Sequence, residues 1–116
     1  EKKRKIVSIY EDFLSKVEGI DLKKEEKNIR STYWRYSILI NDSFPVSRDK
    51  LISKLKEKKI TARGIFTPMH LHPIYKNKKK QCPEAIKITK IGLDIPSSVA
   101  LDVNDIKYIV KTISNI

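Results

Sequence analysis

Glycine, cysteine and methionine are scarce in this chain, and each shortage closes off a class of function. The three glycines, Gly19, Gly64 and Gly92, lie far apart, so no glycine-rich loop can cradle a phosphate. A single cysteine, Cys82, cannot form an internal disulfide, which makes a reducing cytoplasm the expected setting. No apolar run approaches the roughly 20 residues of a membrane helix, so no membrane role is expected. The basic start, Glu1-Lys2-Lys3-Arg4-Lys5, leads into a mixed helix and not into a signal peptide. Met69 is the only methionine and the first residue is Glu1. The chain therefore reads as processed or as a piece of something longer.

What is present suits one modest core. The 116 residues, 40% hydrophobic and 34% charged, fit a single soluble domain over residues 1–116. The net charge of +11 invites a nucleic-acid reading. However, the lysines are spread along every element and many alternate with glutamate, as on a solvated surface. Nucleic acid is not the expected partner.

Helical spacing of Ile6, Ile9, Tyr10, Phe13, Leu14 and Val17 predicts a helix over 5–18, stopped by Gly19. Ile20 to Leu22 can continue extended. Thr32 to Ile40 is the strongest strand, with Trp34, Tyr36, Ile38 and Ile40 facing the core and Tyr33, Arg35, Ser37 and Leu39 opposite. Ser47 caps a helix over 48–59 with Leu51, Ile52 and Leu55 buried, and a strand over 60–66 follows. Lys76 to Gln81 is a basic connector. Pro83 opens a helix to Lys90, with Ala85, Ile86 and Thr89 or Ile88 inward, that ends at Gly92. Leu93 to Pro96 is a short strand. Asp102 or Asn104 caps a last helix striped with Ile106, Ile109, Val110 and Ile113. Short strands covered by helices give an α+β two-layer sandwich, with a mostly antiparallel sheet and helices on one face.

Chemistry concentrates in Ala62 to Tyr75, which holds Arg63, both histidines, two of the prolines and Met69. His70, His72 and Cys82 do not make a metal site, because histidines two apart diverge along a strand and a fourth ligand is missing. Cys82 reads as an inert helix-terminal thiol. Arg63 offers a planar fork for phosphate or carboxylate. His70 can donate or accept, and Tyr75 and Phe66 can line a ligand. The competing reading makes Phe66, Met69 and Tyr75 core and pairs Arg63 with an acid; spacing alone does not separate the two.

The run from Leu51 to Tyr75, with Pro68-Met69-His70 and Pro73-Ile74-Tyr75, resembles the C-terminal part of the DegT/DnrJ/EryC1/StrS family of pyridoxal-phosphate-dependent nucleotide-sugar aminotransferases. Tyr33 to Ile40 is similar to the first strand of that family's small domain. Cys82-Pro83-Glu84-Ala85 resembles its proline-x-alanine helix start, and Leu93 to Ser97 its leucine-proline strand. Arg63 stands where perosamine-synthase-like members carry an arginine, although Gly64 replaces their usual proline.

The resemblance implies the small C-terminal domain of a fold-type I pyridoxal enzyme, without the large domain that bears the Schiff-base lysine. It implies Arg63, His70 and Tyr75 as substrate-binding residues, and no catalytic, cofactor-binding or metal-binding residue in this chain. The parent would use pyridoxal phosphate, an amino-acid donor and a nucleotide-linked keto sugar, as a homodimer. This piece alone would be inactive. The rival reading is a stand-alone basic module for nucleic acid or another acidic partner.

Overall fold

The structure, a computed structural model, describes residues 1–75 and 82–116. The connector read over Lys76 to Gln81 lies outside the described residues. In chain order the elements are α1 (Lys2–Leu14), β1 (Ile20–Leu22), β2 (Tyr36–Ile40), α2 (Arg48–Glu57) and β3 (Arg63–Gly64). Two 3-10 turns, Met69–Leu71 and Pro73–Tyr75, precede α3 (Pro83–Ile91), β4 (Gly92–Ile95) and α4 (Val103–Ser114). The strands form one open antiparallel sheet in the order β1-β2-β4-β3. The expected α+β class holds.

Alternation along β2 and β4 builds the core. Tyr36 pairs across from Ile95 and Ile38 from Leu93, so both pairs share one face, and all four are buried. Val7, Tyr10 and Leu14 of α1, Leu51 and Leu55 of α2, and Ile106, Ile109, Val110 and Ile113 of α4 close over them. Truncating a fully buried leucine or isoleucine here removes about 2–5 kcal/mol. Tyr10 and Tyr36 stack within this core, 5.6 Å between centroids. Burial pushes both phenols well above their ordinary range. Tyr10 donates its hydroxyl to the Pro96 carbonyl at 2.8 Å, while the buried Tyr36 hydroxyl has no partner among the described residues.

Several sequence expectations need correction. The first helix stops at Leu14, and within it Val7 is buried where Phe13 was expected, because Phe13 stands two-fifths exposed. β2 begins only at Tyr36, and β3 is two residues long. α3 buries none of its residues: Ala85, Ile86 and Thr89 are half-buried and Ile88 is exposed. It touches β2 and β4 but contributes nothing to the core, and it runs into β4 with no intervening residue. The Ser47 cap is as expected, and Asp102 rather than Asn104 caps α4, through a reciprocal capping box with Asp105.

Gly19 has φ +83°, the left-handed conformation expected of it, though it lies beyond the helix end, in the turn into β1. A Cβ there would lie 2.3 Å from the Phe44 nitrogen. Gly19→Ala therefore combines backbone strain with a backbone clash, and denaturant titration should show a loss of about 3 kcal/mol. A loss under about 1 kcal/mol would mean that this turn is not packed as described, since a positive φ alone costs alanine about that much.

Candidate functional site

The sheet face turned away from the core carries the chemistry. With Tyr36 and Ile38 inward, Arg35 and Ser37 turn outward. The register aligns Ser37, Asp94 and Arg63 in one row across β2, β4 and β3. Asp94 is the centre of the row, with only 12% of its side chain exposed. Arg35 donates from Nη1 to Asp94 Oδ2 at 2.9 Å, and the Ser37 hydroxyl donates to Oδ1 at 2.5 Å. Both carboxylate oxygens are thus engaged. Arg63, the cross-strand neighbour, is exposed and has no ion pair among the described residues.

Arg35 is also held between two rings. Its guanidinium carbon lies 4.7 Å from the Trp34 centroid and 4.4 Å from that of Phe66. Trp34 was expected in the core with Tyr36. It is instead 69% exposed, because Tyr33 adopts φ +47° and breaks the alternation before β2 begins. Such a conformation costs a non-glycine residue about 1–3 kcal/mol and persists only where neighbours fix it. Here they do. Lys3 Nζ donates to the carbonyl of Trp34 at 3.3 Å and to that of Ser97. The Tyr33 amide donates to Ser31 Oγ at 3.1 Å, and Arg4 lies over the Tyr33 ring, 5.3 Å from its centroid.

Among the expected site residues, Arg63 lies on β3, His70 in the first 3-10 turn and Tyr75 at the end of the second. No hydrogen bond or ion pair among the described residues joins the three. His70 Nε2 is shut off from solvent and has no hydrogen-bond partner among the described residues, a state that costs about 1–3 kcal/mol. Phe66, Met69, Leu71, Ile74 and Tyr75 form an exposed apolar ridge, with Ile74 at 87%. The core reading of Phe66, Met69 and Tyr75 therefore fails. Gly64 allows close packing, since a Cβ there would meet Arg48 Nη1 at 2.3 Å, and that nitrogen donates to the Gly92 carbonyl. No group of three metal-ligating side chains converges among the described residues. An open groove of about 890 Å³ lies along α1 and includes Arg4, Glu11, Glu25 and Tyr33, but none of Arg63, His70 or Tyr75 lines it.

Sequence reading missed the Arg35–Asp94–Ser37 unit. The signal was present: an acid between Leu93 and Ile95 in a short apolar strand requires a cation and a donor beside it.

The DegT/DnrJ/EryC1/StrS aminotransferase family matches residues 1–114. The GDP-perosamine synthase of Escherichia coli O157:H7 is 31% identical over 113 residues, which is 97% of this chain and 30% of that protein. The dTDP-4-amino-4,6-dideoxy-D-glucose transaminase of Escherichia coli is 38% identical over 68 residues, 58% of this chain and 18% of that protein. In fold, the aminotransferase TlmJ from Streptoalloteichus hindustanus superposes with a TM-score of 0.86 at 22% identity, over 98% of this chain and 30% of that one. The chain thus spans about 30% of the length of such relatives.

The bend that presents Trp34 has an electrostatic fastener. Arg4 donates to both oxygens of Glu25, at 3.0 and 2.8 Å, and to the Ser31 carbonyl, while the Ser31 amide donates back to Glu25. The Arg4 hydrogen bonds first, and the Ser31 amide second, hold the Glu25 carboxyl down at about 2, against an ordinary 4.5. A depressed carboxylate pKa stabilises the fold above the unfolded value and loses that contribution as pH falls through the folded one. Carboxyl NMR should therefore give Glu25 a midpoint near 2, with the 23–31 segment intact at pH 4.5 and loosening below it. A midpoint near 4.5 would show that the fastener does not form in solution.

Proposed function

We propose that this chain, which belongs to the DegT/DnrJ/EryC1/StrS aminotransferase family, is a single small domain of a longer enzyme that transfers an amino group to a nucleotide-linked keto sugar. In this reading Arg63 receives a substrate phosphate, and His70 and Tyr75 line the same edge of the cleft. The observation that carries it is the exposed guanidinium of Arg63, without an ion pair among the described residues, beside an aspartate whose oxygens are both taken. The names of the relatives, which pair GDP and dTDP with amino sugars, support a nucleotide-sugar substrate. A perosamine-synthase-like specificity and a place in surface-polysaccharide synthesis are the finer form of the proposal.

The family is pyridoxal-phosphate-dependent. The residues described here do not fit that group, since none of the described lysines is buried and a solvated lysine is protonated and a poor nucleophile. We therefore assign the Schiff base, and the chemistry at the keto carbon, to residues outside this chain. Its own contribution is to hold substrate charge and exclude water. The exposed ridge from Phe66 to Tyr75 supports this, because an apolar strip of that kind is normally covered. In the whole enzyme we expect it to be covered by the large domain or by the second subunit of a homodimer. Among the described residues no helix is long and apolar enough to cross a membrane, and a cytoplasmic location belongs to the same proposal.

Two measurements test the reading. In the longer protein, Arg63→Gln should raise KM for the nucleotide sugar about tenfold, with Arg63→Lys intermediate, because a guanidinium–phosphate pair is charge-assisted and bidentate. An unchanged KM would remove Arg63 from the site. In this chain alone, sedimentation should show association that rises with concentration and is reduced by Ile74→Ser. A monomer at all concentrations would argue against a covered ridge.

A further inference from the structure

We propose that the open face of Trp34 is a stacking platform for the base of a nucleoside diphosphate whose phosphates reach Arg63. The proposal rests on the reading of Arg63 given above and adds where the base goes. It begins from an exposure that hydrophobicity does not explain. The pattern of β2 would bury Trp34, yet Tyr33 at φ +47° turns it out, and Lys3, Arg4 and Ser31 fix that bend. Conformations held against their own preference in this way concentrate at sites that must present a group.

The ring is also prepared. One neighbour of Trp34 is the Arg35 guanidinium, itself backed by Phe66 and neutralised by Asp94. The ring rests against this cation, 4.7 Å from its centroid, while 69% of the residue remains exposed for a second planar group. Because Asp94 already cancels the charge of Arg35, that cation does not compete for phosphate. Arg63, across the strand from Asp94, is left to do so. The two halves of a nucleoside diphosphate, a flat base and an anionic tail, match this division. Stacking of this kind tolerates any base and so does not by itself choose between guanine and thymine.

Trp34 is the only tryptophan of the chain, so its fluorescence reports this platform alone. The experiment titrates the chain with guanosine diphosphate, inorganic pyrophosphate and a single-stranded oligothymidylate, following Trp34 emission and the Arg63 Nε–H resonance. We expect guanosine diphosphate to quench Trp34 and move Arg63, and pyrophosphate to move Arg63 alone. Trp34→Leu should weaken guanosine diphosphate about tenfold, as the loss of one stacked base does, and leave pyrophosphate unchanged. If both compounds move Arg63 alike, Trp34 stays silent and Trp34→Leu has no effect, the platform is wrong while the anion reading of Arg63 stands. If neither compound moves Arg63, both fall. Quenching by the oligonucleotide without quenching by guanosine diphosphate assigns the ring to nucleic acid and overturns the proposal.

Discussion

Asp94 is a carboxylate almost enclosed in the middle of a sheet, and such a group must be matched where it stands. Arg35, just before β2, and Ser37, within it, match it at hydrogen-bonding distance. The rest of the outer face follows. Arg35, held by Asp94, becomes a fixed surface on which Trp34 and Phe66 lie. Arg63, excluded from both oxygens, has no ion pair among the described residues. The strand register, which sets Ser37, Asp94 and Arg63 in a row, therefore decides which side chains stand beside the carboxylate.

The two faces of the sheet obey different rules. On the inner face, buried aliphatic side chains from three helices lock β2 and β4 in register, and a slip of one residue would exchange the faces. That penalty protects the outer row, whose polar contacts alone contribute only about 1.5–3 kcal/mol each. Ser37 and Asp94 thus lie on the same two strands that build the core, at alternate residues. The fastening of α1 to the 25–34 segment, by Arg4 and Lys3, extends the arrangement beyond regular structure, so that a bend without strand pairing still has a fixed shape.

Most of the inner layer was legible in the sequence. The spacing of Ile106, Ile109, Val110 and Ile113, the caps at Ser47 and Asp102, and the faces of Tyr36, Ile38 and Ile40 need only local periodicity, and the structure agrees with each. Trp34 was misread because alternation was extended through Tyr33, and no local rule announces a positive φ at a tyrosine. α3 was misread as a core helix because its apolar residues fit a stripe, whereas its burial depends on what else covers the sheet. The site was half visible. Arg63 and His70 stood out by residue type, but the case for them rests on Asp94 being already satisfied and on His70 Nε2 lacking a partner among the described residues, and both are matters of three-dimensional placement.

The direct passage from α3 into β4 leaves no loop between them: Ile91 ends the helix and Gly92 begins the strand. The position of α3 is therefore set by the backbone and by its contacts with β2 and β4, not by burial, since none of its residues is buried. A helix that adds nothing to the core is in this way tied by the chain itself to the strand that carries Asp94.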